Sequence, residues 1–229
     1  MVAGSPSAAL DPAGREALET VLRLLADERA SVSSVTEPDR AWRVHVDDSL
    51  TGLEVTDLAA AERIADIGSG AGFPGLPLAV ALPGSRIDLI ESVGRKCDFM
   101  RRAAGAAGIA NVRILDRRSE ELAAEEGREA YGAVTARAVG RLSTLAELAS
   151  PLLRDGAVLV AWKGRRDDDE EAELERAAER LAMRPERILA VGPYAGSRHR
   201  HLHVLRKSGP TPADLPRRPG MAKKRPRGS

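Results

Sequence analysis

Gly70, Gly72 and Gly75 carry the spacing G-x-G-x-x-G, with Gly68 ahead of them and an acid, Asp66, two positions earlier. A short apolar run, Arg63–Ile67, leads into these glycines, and a helical pattern follows. Glycines in a turn at the C-terminal end of a strand let backbone approach a ligand without Cβ interference. About 20 residues on, Glu91 closes the next apolar run, where a carboxylate accepts hydrogen bonds from both hydroxyls of a ribose. The combination of Gly68, Ser69, Gly70, Gly72 and Glu91 therefore predicts a nucleoside cofactor, and it serves NAD and S-adenosylmethionine (AdoMet) equally. Asp66 has two roles open to it: it caps the turn, or it faces the sulfonium or amino group of the cofactor.

Further along, Ser119 and Glu120 open a helix after the third predicted strand. They suit a capping pair, and they also suit reading the edge of an adenine. Arg137 ends the fourth strand within Thr135-Ala136-Arg137-Ala138. An arginine there clamps a carboxylate, a phosphate or guanine O6. No Asn/Asp-Pro-Pro-aromatic motif of amino-directed methyl transfer is present at this position, and no cysteine for attack on a pyrimidine C5. Those absences point to an acceptor such as guanine N7, which has a free lone pair and no proton to remove, so that orientation carries most of the chemistry. Lys163, after the fifth strand, and Arg200 are candidates for substrate positioning, as are His45 and Asp48, which share a helix face with Ser49. Arg95 and Lys96 read as solvated charges, and Cys97 as a small core residue.

These residues need a scaffold that brings strand ends together. Residues 1–10 are small and polar and are predicted to be disordered. Asp11-Pro12 offers an N-cap followed by Pro at N1, and apolar residues from Ala17 to Leu25 recur at helical spacing to about Arg29. A loop, 31–39, leads to a second helix predicted over 41–53. Residues 11–60 thus form an N-terminal helical cap. From 61 to 207 strands alternate with helices: strands at 63–67, 86–90, 112–115, 133–136, 156–162, 187–191 and 201–206. Only Gly192 to Arg200 separates the last two, too short for a crossover to a parallel neighbour, so they form an antiparallel hairpin. An α/β fold of this kind, a Rossmann-like seven-stranded sheet with an antiparallel last strand, resembles the class I AdoMet-dependent methyltransferase fold. Dinucleotide-binding sheets normally finish with another parallel strand.

Composition limits the remaining classes. Aromatics are 3% of the chain, so Ala, Leu, Val and Ile must build the core. One cysteine forbids an intramolecular disulfide and a Cys/His zinc site of the usual spacing, and no metal is expected. No run of about 18 apolar residues exists and residues 1–9 lack a signal peptide's pattern, so a cytoplasmic protein without a membrane anchor is expected. From Arg206 onward eight basic residues face one acid, a net +7 that leaves −6 for the rest. The Pro/Gly-rich segment 208–229 is expected to be extended or disordered when free, with its charge available to polyanions.

Asp66-Ile67-Gly68-Ser69-Gly70-Ala71-Gly72-Phe73-Pro74-Gly75, the run Glu91 to Lys96, Arg118-Ser119-Glu120-Glu121, Arg137-Ala138, Lys163-Gly164 and Arg200-His201-Leu202 resemble, in this order, the segments of the RsmG family, also called glucose-inhibited division protein B. The resemblance spans about residues 15–226. It implies AdoMet-dependent methylation of N7 of one guanosine in 16S ribosomal RNA, on the rRNA or the small subunit. It also implies cofactor contacts at Gly68, Phe73, Ser119, Glu120 and Arg137, with Glu91 as the ribose acid. The chain departs from the family at Ser31-Val32-Ser33, where Asn-Leu-Thr is usual, and at Val44, where arginine usually precedes the histidine. Competing readings are a methyltransferase acting on a small molecule or protein, an NAD(P)-dependent oxidoreductase, for which no Tyr-x-x-x-Lys pair is visible, and a non-catalytic RNA-binding module.

Overall fold

The computed structural model describes residues 5–28 and 37–228. Residues 1–4, most of the predicted loop 31–39 and the Ser31–Ser33 departure lie outside the described residues. Helix α1 (Pro12–Asp27) begins as expected: the Asp11 carboxylate accepts the Gly14 amide at 2.7 Å, and Leu18, Val21, Leu22 and Leu25 are buried. The following short helices are α2 (Pro38–Ala41), α3 (Asp48–Leu50) and α4 (Thr56–Ala59). Strands β1 (Arg63–Ile67), β2 (Arg86–Glu91), β3 (Val112–Asp116), β4 (Tyr131–Arg137), β5 (Leu153–Lys163), β6 (Met183–Ala190) and β7 (His201–Lys207) then alternate with α5 (Gly75–Ala81), α6 (Gly94–Ala106), α7 (Ser119–Ala123), α8 (Leu142–Ala149) and α9 (Asp168–Ala178), and α10 (Met221–Lys224) closes the chain.

The seven strands form one sheet in the order β3-β2-β1-β4-β5-β7-β6. β1 to β5 pair in parallel, and β7 runs antiparallel to both β5 and β6. The predicted hairpin is therefore present. β6 starts at Met183, earlier than the predicted Arg187. Pro185 and a row of exposed charged residues hide its start, which an edge strand tolerates. Apolar side chains cover both faces of the sheet. One cluster packs Leu18, Leu58, Ile64, Leu76 and Phe99, and the other Ile67, Tyr131, Val134, Leu145 and Leu159. No helix among the described residues is long and apolar enough to cross a membrane.

Three expectations need correction. The predicted helix 41–53 is broken. Residues 42–47 wind with a wider pitch, the Asp48 amide donating to the Arg43 carbonyl, and Thr51–Glu54 tighten to a 3-10 turn. The reason is tertiary. The Trp162 indole lies so close that a Cβ on Gly52 would stand 2.6 Å from its Cζ2, and its Nε1 donates to the Asp48 carbonyl at 2.8 Å. Wide turns of this kind recur at functional sites. Second, part of the segment 1–10 is structured: Pro6–Ala9 form a 3-10 turn, and Ser7, buried, accepts from Trp42 Nε1 at 3.1 Å. Third, the basic segment after β7 is laid onto the body. Leu215 and Ala222 are buried, and Arg217 pairs with Glu147 of α8.

Candidate active site

Strand register brings the chemistry-bearing residues together at the C-terminal ends of β1, β2, β4 and β5. Asp66 of β1 stands beside Thr135 of β4, and Arg137 beside Trp162 of β5. Lys163 stands beside His201 of β7.

Asp66 is fully buried. Its carboxylate accepts from Thr135 Oγ1 at 2.8 Å and from the Gly75 amide at 3.2 Å, while Ser69 Oγ donates to its carbonyl at 2.8 Å. The acid is thus spent inside the turn, correcting the reading in which it faces a ligand. Ser69 and Gly72 are structural in the same way: a Cβ on Gly72 (φ +92°) would meet Leu76 at 2.4 Å. Burial pushes the Asp66 carboxyl up to about 6, against the pull of Thr135, Arg137 and the Gly75 amide. The folded state therefore prefers the protonated acid. Its contribution to stability is full below the unfolded value near 3.8 and is lost as pH rises through about 6. Between those values the chain is expected to lose on the order of 3 kcal/mol that the Asp66→Asn variant does not lose, read as the pH slope of urea unfolding of the two proteins.

Most amides of the turn are equally committed. Those of Gly68 and Ser69 donate to the Ile90 carbonyl at 2.8 and 3.1 Å, and those of Gly72 and Phe73 to the Ser69 carbonyl. The Gly70 amide donates to Glu91 Oε2 at 3.1 Å. Glu91 Oε1 accepts from the amides of Ser92 and Val93, which aims the carboxylate across the end of β2.

A cavity of about 340 Å³ opens there, lined by Gly68, Glu91, Ser119 and Glu120 of the predicted set. Arg117, Arg118, Val139, Thr144 and Leu148 line it too, with Gly220, Ala222, Lys223 and Lys224 from the segment after β7. The sequence gives none of the residues from Val139 onward a cofactor-site role, because apolar residues and a distant tail carry no local signal. A second cavity, about 380 Å³, gathers Asp48, Arg137, Lys163 and Arg200 with Trp162 and His201. The loop after β4 serves both, Arg137 and Ala138 facing one and Val139 the other; Ala138 holds φ +58°, a strained value for a residue with a Cβ. A larger hollow, about 720 Å³, lies between α1 and residues 38–47, away from the strand ends.

In the second cavity Arg137 donates to Asp48 Oδ2 at 2.9 Å and to the Val44 carbonyl at 3.1 Å. Its guanidinium lies 5.7 Å from the Phe73 ring centroid, and His45 stacks on the same ring at 4.5 Å. Phe73 and His45 are thus buried supports behind Arg137 and do not line the cavity. Arg200, at the rim, places Nε 3.9 Å from Asp48 Oδ1. Lys163, expected as a phosphate contact, donates to the Gly140 carbonyl at 3.1 Å and to Glu170 Oε1 at 2.6 Å. It ties down the loop that both cavities share. Cys97 is buried, its Sγ donating to the Glu91 carbonyl, and burial pushes its thiol up to about 11, the opposite of an activated nucleophile.

The family model described as GidB, rRNA small subunit methyltransferase G, matches residues 16–202. The chain belongs to this family. Two similar GidB-family proteins are the ribosomal RNA small subunit methyltransferase G of Rubrobacter xylanophilus, 42% identical over 212 residues covering 91% of this chain and 81% of that one, and that of Deinococcus radiodurans, 39% identical over 237 residues covering 93% and 92%. Among solved structures, the mitomycin 7-O-methyltransferase MmcR matches with a TM-score of 0.59 at 15% identity over 89% of this chain and 70% of that one. A SAM-dependent O-methyltransferase from Thermotoga maritima matches with a TM-score of 0.57 at 13% identity, covering 82% and 71%. These likenesses establish the class I methyltransferase fold of this GidB-family chain.

Proposed function

We propose that the chain transfers a methyl group from AdoMet to N7 of a guanosine in 16S ribosomal RNA, in the cytoplasm, with the 340 Å³ cavity for the nucleoside of the cofactor and the 380 Å³ cavity beside Asp48 for the guanine. The observation that carries the cofactor assignment is the state of the glycine turn. A dinucleotide's pyrophosphate is bound by free amides at such a turn. Here the amides of Gly68, Ser69, Gly70, Gly72, Phe73 and Gly75 all donate to protein acceptors. Glu91 and Glu120 line the cavity, together with Arg117, Arg118, Lys223 and Lys224. Glu91 suits ribose hydroxyls, and amides already given to protein acceptors leave a diphosphate few donors at the turn, which disfavours the NAD(P) reading.

The fit extends to the residues themselves. Glu91 accepts the ribose hydroxyls, and Ser119 with Glu120 meets the adenine edge. When bound, AdoMet supplies an electrophilic methyl group on a sulfonium. In the second cavity Asp48 accepts from guanine N1–H and N2–H, the edge opposite N7, which leaves N7 unencumbered. Arg137 holds Asp48, and Trp162 Nε1 holds the Asp48 carbonyl, so the acceptor edge is fixed before substrate arrives. No base is required, because N7 carries its lone pair at neutral pH; catalysis rests on orientation. Arg200, exposed at the rim, meets RNA phosphate. The GidB family's methylation of small-subunit rRNA supports this substrate.

The test is transfer from methyl-labelled AdoMet to small ribosomal subunits lacking the modification, followed by nucleoside digestion. Label in N7-methylguanosine is expected; digests without it overturn the proposal.

A further inference from the structure

The segment after β7 contributes to the site from a distance in sequence that conceals it. Lys207, 1% exposed, donates from Nζ to the Ser150 carbonyl and to Thr211 Oγ1 and starts the turn away from the sheet. The Thr211 amide is held by Glu129, and Leu215 is buried. Arg217 then makes two hydrogen bonds to Glu147, at 2.5 and 2.6 Å. Arg227 returns to Glu147 at 3.7 Å and pairs with Asp214. Glu147 is 3% exposed, and its ion-pair partners both come from this segment. A buried carboxylate stripped of its cations is costly, so the segment is held down.

Between the two arginines the chain crosses the mouth of the smaller cavity. Gly220 takes φ +80°, a bend that favours glycine, and its amide donates to Glu120 Oε1 at 2.8 Å. Ser119 Oγ donates to the other oxygen of Glu120 at 3.2 Å. Ala222, buried, accepts from Thr144 Oγ1 at 3.4 Å, and Lys223 and Lys224 stand exposed on the rim.

We infer that the C-terminal segment is a structural part of the cofactor site: residues 220–224 form the wall at the adenine end and position Glu120, with the Arg217–Glu147 pair as the latch. The inference rests on assigning this cavity to AdoMet. It replaces the expectation of an extended arm: Arg217 and Arg227 are consumed internally, while Lys223, Lys224 and Arg225 stay exposed.

The experiment is done first on the full, unaltered chain. Tryptic cleavage after Lys223 and Lys224 is followed with and without saturating AdoMet, with NAD as control. AdoMet is expected to slow cleavage at these bonds, and NAD to leave it unchanged. Calorimetric titration then compares the full chain, the Arg217→Ala variant and a chain ending at Leu215. Both altered chains are expected to bind AdoMet about tenfold more weakly or worse, since the Glu120 contact loses its support. Unchanged cleavage under saturating AdoMet overturns the inference, and so does equal affinity in the three proteins. If the truncated chain fails to fold, the cleavage result on the intact chain decides. A full chain that binds no AdoMet at all overturns the cofactor assignment itself, a separate outcome.

Discussion

Replacing Glu91 with alanine is expected to weaken AdoMet binding by about a hundredfold or more, measured by isothermal titration. The carboxylate is assigned two hydroxyl donors, and a hydrogen bond to a charged group contributes about 1.5–3 kcal/mol, at 1.4 kcal/mol per factor of ten. The side chain also accepts the amides of Gly70, Ser92 and Val93, so its removal leaves three donors at the mouth of the glycine turn without their partner. A lowered melting temperature is expected alongside. The Glu91→Gln variant separates the two effects. It keeps an acceptor oxygen and the side-chain length, and is expected to lose about tenfold in affinity with a smaller thermal shift. Alanine-variant affinity within twofold of the parent rules Glu91 out as the ribose acid.

The second large effect is expected at Asp48. Arg137 is 17% exposed and has this carboxylate as its ion-pair partner. Breaking a buried pair from one side costs about 3–5 kcal/mol, and the partial exposure of Arg137 places the Asp48→Ala variant toward or below the lower end. Methyl transfer to the small subunit is expected to fall by about a hundredfold or more, because the guanine loses the acceptor for two donors. AdoMet affinity is expected to change far less, since Glu91, Ser119 and Glu120 lie in the other cavity. Single-turnover transfer and calorimetry on the same preparation distinguish the outcomes. A variant that melts earlier yet transfers at the parental rate assigns Asp48 to stability alone. The Asp48→Asn variant keeps the shape and one acceptor, and is expected to fall between alanine and the parent.

The parts of the molecule that were legible in the sequence are those with local causes. Period-two and period-3.6 patterns place the strands and helices, and the short link 192–200 forces β6 and β7 to be antiparallel, as observed. The helix at 41–53 misled because its winding answers to Trp162, whose indole reaches the Asp48 carbonyl across 114 residues of sequence. The tail misled for a related reason. Its low apolar content predicts disorder, yet the buried acid that neutralises Arg217 lies 70 residues away. Lys163 looked like a free cation because Glu170 reads as one more charge on an exposed helix, whereas it is buried beneath Lys163.

The glycine run, Glu91 at the end of the next strand, and the terminal hairpin follow from residue type and spacing, so the family and the sheet were legible in the sequence. Which lone pairs and donors remain free for a ligand was not. Asp66 and Glu91 are both acids at strand ends, and spacing treats them alike. Register sets Asp66 beside Thr135 and under the Gly75 amide, where desolvation and hydrogen bonds consume it, while Glu91 at the end of its strand keeps a face to the cavity. The same partition spends four of the turn's amides on Ile90 and Ser69 and two of the tail's arginines, Arg217 and Arg227, on Glu147. Hydrogen-bond partners are assigned by neighbours in space, and only a group that keeps a face to a cavity beside those partners can meet a ligand.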